Sequence, residues 1–353
     1  MENTELIELG EADYRKLALL SYSSLKDFIK NPMYYYRKHI LKEKMKEIDT
    51  QNNDNIRMGN LVDCLLSCPE EFETRYIVTT ASKPIGLMGN FVDLLYKETL
   101  LNTNEFGVFC GNLDNLIEIC YEKTGFGRDK IDTVKKKFLE DHIGYDYYIE
   151  LTSKGNKTVI ELSELEWGQK IADWLKQHPY SRRFIDIPNG EKYIVYNQLM
   201  LTCFINGVKI KLMIDKLILN TETMVATPID YKCTGSITMF PYNYLKLGYW
   251  LQMAIYTTAI RQHFPGYEVK PLSFLIFDKY MKETPVFVKI TEKQYEEAMN
   301  GFTTILGKPY AGLLKILDNY KWHCERDIWN TTKDIFDNNG IIELQLNNFE
   351  TEE

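Results

Sequence analysis

The sequence predicts an α/β protein with a mixed sheet. Three apolar runs of strand length, 193–204, 208–219 and 224–231, follow one another with only short turns between them. Helical stretches precede and follow them, and another apolar run comes at 271–277. Helix, three strands, helix, strand is the order of an α/β core rather than of a bundle or a sandwich.

A chain of 353 residues, 44% of them hydrophobic, can bury a sizeable core as one large domain or two ordinary ones. No apolar run approaches the roughly 20 residues of a membrane-spanning helix. Residues 1–5 carry no basic segment leading into an apolar one, so neither secretion nor a membrane anchor is expected. The seven cysteines are odd in number and several have apolar neighbours, which fits a reducing cytoplasm. Cys64 and Cys68 can share one side of a helix, but no second Cys/His pair answers them, so they read as small core residues. A formal net charge of -8 does not suit bulk attraction to nucleic acid, so positive charge for such a substrate must be local. The strongest basic run carries Lys123, Arg128, Lys130, Lys135, Lys136 and Lys137 against Glu122, Asp129 and Asp132. A solvated helix face explains it equally well.

Taken in order, Ser24 with Asp27, and Leu25 with Phe28, predict a short capped helix that Asn31-Pro32 stops. A second helix is expected over 33–45. Its Tyr34, Tyr35 and Tyr36 cannot share one face, which puts some in the core and leaves others for base stacking. After a polar loop at 47–55, the run from Met58 to Leu66 predicts a third helix, in which spacing alone puts Asp63 at the surface edge of the apolar stripe. Residues 81–157 read as a helical insertion with ordered loops. Ser163 and Glu166 form a capping box for a helix that His178-Pro179 ends. The first strands turn at Asn206-Gly207 and the next at 220–223. A helix over 242–263, strands at 271–277 and 284–290, and one or two helices over 292–318 broken near Gly307-Lys308-Pro309 complete the core. The polar end, 344–353, is expected to be disordered or to dock on another subunit.

Chemistry concentrates at Asp230-Tyr231-Lys232. Alternate strand residues face the same way, so Asp230 and Lys232 share one face and Tyr231 takes the other. Antiparallel pairing can set Asp215 beside Asp230. Carboxylates that close repel unless a cation lies between them, and Mg²⁺ is a hard ion that takes oxygen ligands and keeps several waters. An acidified water would attack a phosphodiester while Lys232 orients it or offsets developing charge. Gln252 and Tyr256 share a helix face, with Tyr249 one turn earlier, and could hold a phosphate or orient Lys232. Each piece alone is commonly a surface feature; their order and short spacing carry the reading.

In these residues the chain resembles the PD-(D/E)xK nucleases, and within them the phage and prophage exonucleases similar to exonuclease VIII and, more distantly, lambda exonuclease. Asp215, Asp230 and Lys232 match the signature, Gln252 with Tyr256 matches a Gln-x-x-x-Tyr helix motif, and Lys211 falls where a basic residue precedes the first Asp. Ser21-x-Ser23-x-Leu25-x-x-Phe28 with Pro32 looks like the N-terminal Ser-x-Ser motif. Gly59-x-x-x-Asp63 sits where many relatives have Gly-x-x-x-His with a metal-binding His, which makes Asp63 a third acidic ligand. Glu191 or Gln198 stands for a further acidic residue.

The resemblance covers 21–76 and 159–290. It implies a restriction-endonuclease-like core, a central mixed sheet flanked by helices, with N-terminal helices and a helical insertion. The expected division is 1–78, an N-terminal helical part; 79–158, the insertion; 159–320, the nuclease core; and 321–353, a tail. Catalysis would fall to Asp215, Asp230 and Lys232. Mg²⁺, or Mn²⁺, would lie at Asp63, Asp215, Asp230 and Tyr231, with Gln252, Tyr256, Tyr249, Ser23 and Lys211 towards substrate. Some relatives hold an iron–sulfur cluster with one upstream and three downstream cysteines; only Cys324 lies beyond Cys233, so no cluster is expected. The implied activity is a DNA exonuclease that resects linear ends for recombination or repair. The partners to consider are DNA, a single-strand annealing protein and further copies of the chain. The alternatives are an endonuclease or nickase of the same fold and a silent DNA-binding scaffold, the last opposed by the intact Asp, Asp and Lys.

Overall fold

The computed structural model describes residues 10–43, 54–104, 108–155 and 157–342. The expected helix end at 45, most of the loop at 47–55 and the tail at 344–353 lie outside the described residues. Residues up to Cys68 and from Ile171 onward form one compact unit, and Pro69–Lys170 form a second.

The first unit is built on a mixed sheet. β1 (Tyr193–Ile205), β2 (Val208–Asn220), β3 (Val225–Thr234), β4 (Ser273–Asp278) and β5 (Val286–Val288) lie side by side in that order, and Glu268–Val269 pairs with the start of β3. β1, β2 and β3 form an antiparallel meander, β3 and β4 are parallel, and β5 returns antiparallel. Asn206 and Gly207 both take positive φ, 53° and 76°. That conformation matches the twist of a two-residue hairpin, so the first turn follows from its sequence.

The ladder opens at one level. Between β1 and β2 the register steps from Asn197↔Lys216 to Leu199↔Ile214, passing over Gln198 and Asp215. Gln198 has a φ of 48°, a left-handed conformation that costs a non-glycine residue energy. β2 pairs with β3 only as far as Lys216↔Ile229, and β4 takes over from Ile229↔Ser273 to Thr234↔Asp278. That parallel partner carries β3 through Thr234, so Asp-x-Lys is inside the strand and not at its end.

The helices that position the site are α1 (Glu11–Lys16), α2 (Tyr22–Lys30), α3 (Asp54–Ser67) and α4 (Tyr249–His263). The cap of α2 is Ser21 rather than Ser24: the two serines exchange main-chain N–H bonds, at 2.8 and 3.3 Å. The helix expected over 242–263 is two, Phe240–Lys246 and α4, because Gly248 turns left-handed between them at a φ of 73°. α4 is buried on nearly every side from Trp250 to Ile260, as a central helix must be. The helix expected over 33–45 is one turn, Pro32–Tyr35, followed by a wider turn, Tyr36–Ile40. Tyr35 is buried with its hydroxyl on Tyr320, and Tyr36 stacks on Trp329, so both serve packing. The expected helix break near Gly307 is a β-hairpin, Gly301–Thr303 with Pro309–Ala311, before the helix Leu313–Arg326. Gly312 closes it: a Cβ there would lie 2.3 Å from the Gly301 nitrogen.

The second unit has helices Gly86–Leu101, Leu113–Thr124, Ile131–Leu139 and Tyr145–Ser153 around Phe91, Leu95, Ile117, Val134 and Phe138. Tyr76–Thr79 and Thr158–Glu161 form a short parallel pair. Three of the six basic residues in its basic run are paired: Lys123 binds Glu98 at 2.6 Å, Lys135 binds Glu118 at 2.9 Å and Lys137 binds Asp129 at 2.7 Å.

Lys211 departs from its expected substrate role. It is buried on β2, and its Nζ donates to the carbonyls of Tyr14, Arg15 and Leu17 at 3.0, 3.0 and 2.8 Å, closing the C-terminal end of α1. An ammonium has three hydrogens, and all three are used. Lys211→Met is expected to destabilise the protein by about 1.5–3 kcal/mol, the range for hydrogen bonds involving a charged group. Urea unfolding followed by circular dichroism measures it; an unchanged midpoint would contradict the capping role.

Candidate active site

Asp230 sits where β3 changes neighbours. It is 2% exposed. Its Oδ2 meets Lys232 Nζ at 2.5 Å, and its Oδ1 accepts a hydrogen bond from Gln252 Nε2 of α4. The β2–β3 register, continued by one residue, sets Asp215 opposite Asp230. There the ladder gives way, and Asp215 Oδ2 accepts the main-chain N–H of Tyr231 at 2.8 Å. Lys232 Nζ lies 4.6 Å from the centre of the Tyr249 ring, which backs the ammonium with its π face.

Asp63 arrives from the opposite side of the sheet. Gly59 lets α3 approach β3 closely, since a Cβ there would stand 3.1 Å from the Cys233 Cβ. Four residues later, on the same helix face, Asp63 accepts from Ser67 Oγ at 2.9 Å and from Gln198 Nε2 at 2.8 Å. Its charge acts on Tyr231 and Asp215. The Gly-x-x-x-Asp spacing thus has a packing cause, and Asp63 is not the stray surface residue that periodicity alone suggests.

The electrostatics follow from this crowding. Burial raises the Asp215 carboxyl well above the usual range, and the charges of Asp230 and Asp63 push it further, against Lys232 and the Tyr231 N–H. Burial alone would lower the Lys232 ammonium, but Asp230, Tyr249 and Asp215 outweigh it and the value is raised, so Lys232 stays charged. Lys216, facing away on β2, is pushed down to about 8, mainly by burial, with Asp186 and Asp63 opposing; its Nζ donates to the Ile185 carbonyl at 2.9 Å.

Among the described residues, no three His, Cys, Asp or Glu side chains stand close enough to hold an ion between them. Asp63 still lies near enough for its charge to act on Asp215. The Asp215–Asp230 pair fits Mg²⁺: the donors are hard oxygens, their mutual repulsion is what a cation relieves, and Mg²⁺ is commonly held by one or two carboxylates with water completing its shell.

The residues expected to face substrate divide. Gln252 and Tyr256 are buried, and Gln252 donates to Asp230. Tyr249 supports Lys232 with its ring. Ser23 is exposed on α2. Tyr231 contributes a main-chain N–H to Asp215, while its phenol is buried. Gln198, not the exposed Glu191, reaches the site, through Asp63. Its left-handed backbone leaves no signal in sequence. Lys26 and Tyr22 of α2, missed by motif reasoning, lie beside Tyr249 and Lys232.

With divalent ions chelated, Asp215→Asn is expected to stabilise the protein at neutral pH, because it removes a charge buried among two others while keeping an acceptor for Tyr231. The raised carboxyl means the native state binds this proton more tightly than the unfolded state does. Wild type therefore loses stability as pH rises from about 4, the unfolded Asp value, through the raised native value. Urea midpoints across that range should show the Asn variant's advantage growing with pH; a constant difference would refute the assignment.

No functionally curated protein matches the chain. Among solved structures it is similar to a Eubacterium rectale protein provisionally named an exonuclease, at 14% identity, over 96% of each chain and with a TM-score of 0.46. The family described as PDDEXK-like domain of unknown function (DUF3799) matches residues 21–308, which hold both the sheet and every residue of the site. A match over that much of the chain decides membership: this protein belongs to the PDDEXK-like family, within the PD-(D/E)xK superfamily.

Proposed function

We propose that the protein is a Mg²⁺-dependent deoxyribonuclease that hydrolyses DNA phosphodiester bonds, acting as an exonuclease that resects linear duplex ends for recombination or repair. The observation that carries the reading is the buried pair Asp215 and Asp230 at the opening of the sheet, with the charged Lys232 held against Asp230. Membership of the PDDEXK-like family supports it, and the exonuclease direction rests on the resemblance to phage and prophage exonucleases.

Asp215 and Asp230 would hold the ion. When bound, Mg²⁺ supplies positive charge towards a phosphate and makes water acidic enough to act as a nucleophile near neutral pH. Lys232 keeps its proton and can donate to a phosphate oxygen without leaving the carboxylate beside it. Gln252 holds Asp230 in one rotamer, and Tyr249 holds Lys232 over the same spot, so these groups are oriented before substrate arrives.

The test is degradation of linear DNA in Mg²⁺, stopped by EDTA and lowered at least about a hundredfold by Asp215→Ala, Asp230→Ala or Lys232→Ala with the fold intact. Full activity in Asp230→Ala would sink the assignment, and cleavage of covalently closed circles would turn it to an endonuclease. Gln252→Ala is expected to lower Mg²⁺ affinity or turnover about 10–100-fold, the usual cost of losing a group that orients a ligand. An unchanged Mg²⁺ titration and rate would show that Gln252 only packs.

A further inference from the structure

α2 carries positive charge that the reading above leaves unused. At about 100° per residue, Ser23, Lys26 and Lys30 fall within about 60° of one another around the helix. Ser24, Leu25 and Phe28 take the buried side. Lys26 is half-buried, with its Nζ 4.9 Å from the centre of the Tyr22 ring and its stem beside Gly248. The Tyr22 hydroxyl donates to the Leu247 carbonyl at 2.8 Å. These contacts tie the first turns of α2 to the break before α4, beside Tyr249 and Lys232.

Lys26 forms no ion pair among the described residues, although the charge of Asp27 acts on it. Asp27, its neighbour in sequence, lies 2.8 Å from His39 Nε2 and 3.3 Å from Lys38 Nζ. Among the described residues neither Lys26 nor Lys30 forms an ion pair, unlike Lys123, Lys135 and Lys137 of the second unit. Burial first and then the like charge of Lys232 lower the Lys26 ammonium, with Asp27 opposing. A partly desolvated cation next to another cation is destabilising until an anion joins them. In a chain of net charge -8, such unpaired lysines at the edge of the site are where a polyanion can be gripped.

We propose that the Lys26–Lys30 face of α2 binds the sugar–phosphate backbone of the strand that enters the site, with Lys26 on a phosphate adjoining the one hydrolysed. Lys232 is committed to Asp230 and Lys26 to the Tyr22–Gly248 side, so the two ammonium groups serve different phosphates. This rests on the deoxyribonuclease reading.

The test uses the full chain and a short fluorescein-labelled duplex, with binding measured in Ca²⁺ between about 50 and 200 mM salt and turnover measured in Mg²⁺. Lys26→Met and Lys30→Met are each expected to reduce the slope of log affinity against log salt by about 0.7–0.9, the share of one phosphate contact. Lys26→Arg should restore the slope. KM should rise for the Met variants while kcat at saturation holds. Unchanged slopes in both Met variants, in a protein that cleaves DNA, would overturn the inference and leave the nuclease reading standing. A wild-type protein that cleaves no DNA would overturn both. Should Lys26→Met fail to fold, the exposed Lys30→Met carries the test.

Discussion

The hydrogen bond from the Tyr231 main-chain N–H to the Asp215 carboxylate is the contact on which the site depends. It takes the place of a ladder bond just where β2 and β3 part. With Asp215 turned into that gap, its charge falls beside Asp230, and the two can act on one ion. The same opening continues into β1, where Gln198 adopts a left-handed backbone and reaches Asp63.

Holding like charges together requires a rigid surround. α4 supplies one wall almost without exposed surface, and from it Gln252 and Tyr249 restrain Asp230 and Lys232. α3 supplies the other, brought close by Gly59. Burial and repulsion raise Asp215, and Lys232 acts against that rise from beside Asp230. Such an arrangement has no stabilising value for the fold, which is why it reads as a functional device.

Much of this was legible because it depends on local chemistry. Asn206-Gly207 specifies its turn, Asp230 and Lys232 share a face by strand alternation, and Gln252 and Tyr256 share a helix face by their spacing. The misses share another cause. Lys211 looked like a substrate contact because nothing near it in sequence shows that Tyr14, Arg15 and Leu17 will need a donor. The hairpin Gly301–Thr303 with Pro309–Ala311 and the break at Gly248 hide in runs that are helical by composition, since positive φ at Gly301 and Gly307, and at Gly248, is not visible in composition.

By itself, then, the sequence determined the α/β class, the meander of three strands and which side chains share a face, because periodicity, turn chemistry and side-chain type act over a few positions. Only the tertiary structure decided what those residues do. Strand β4 had to extend β3 before Asp230 could lie inside the sheet, and helix packing had to aim Gln252 at Asp230. Among the described residues, long-range pairing also gives partners to Lys123, Lys135 and Lys137 but no ion pair to Lys26. Which charges are spent and which remain free depends on distances that no short window of sequence contains.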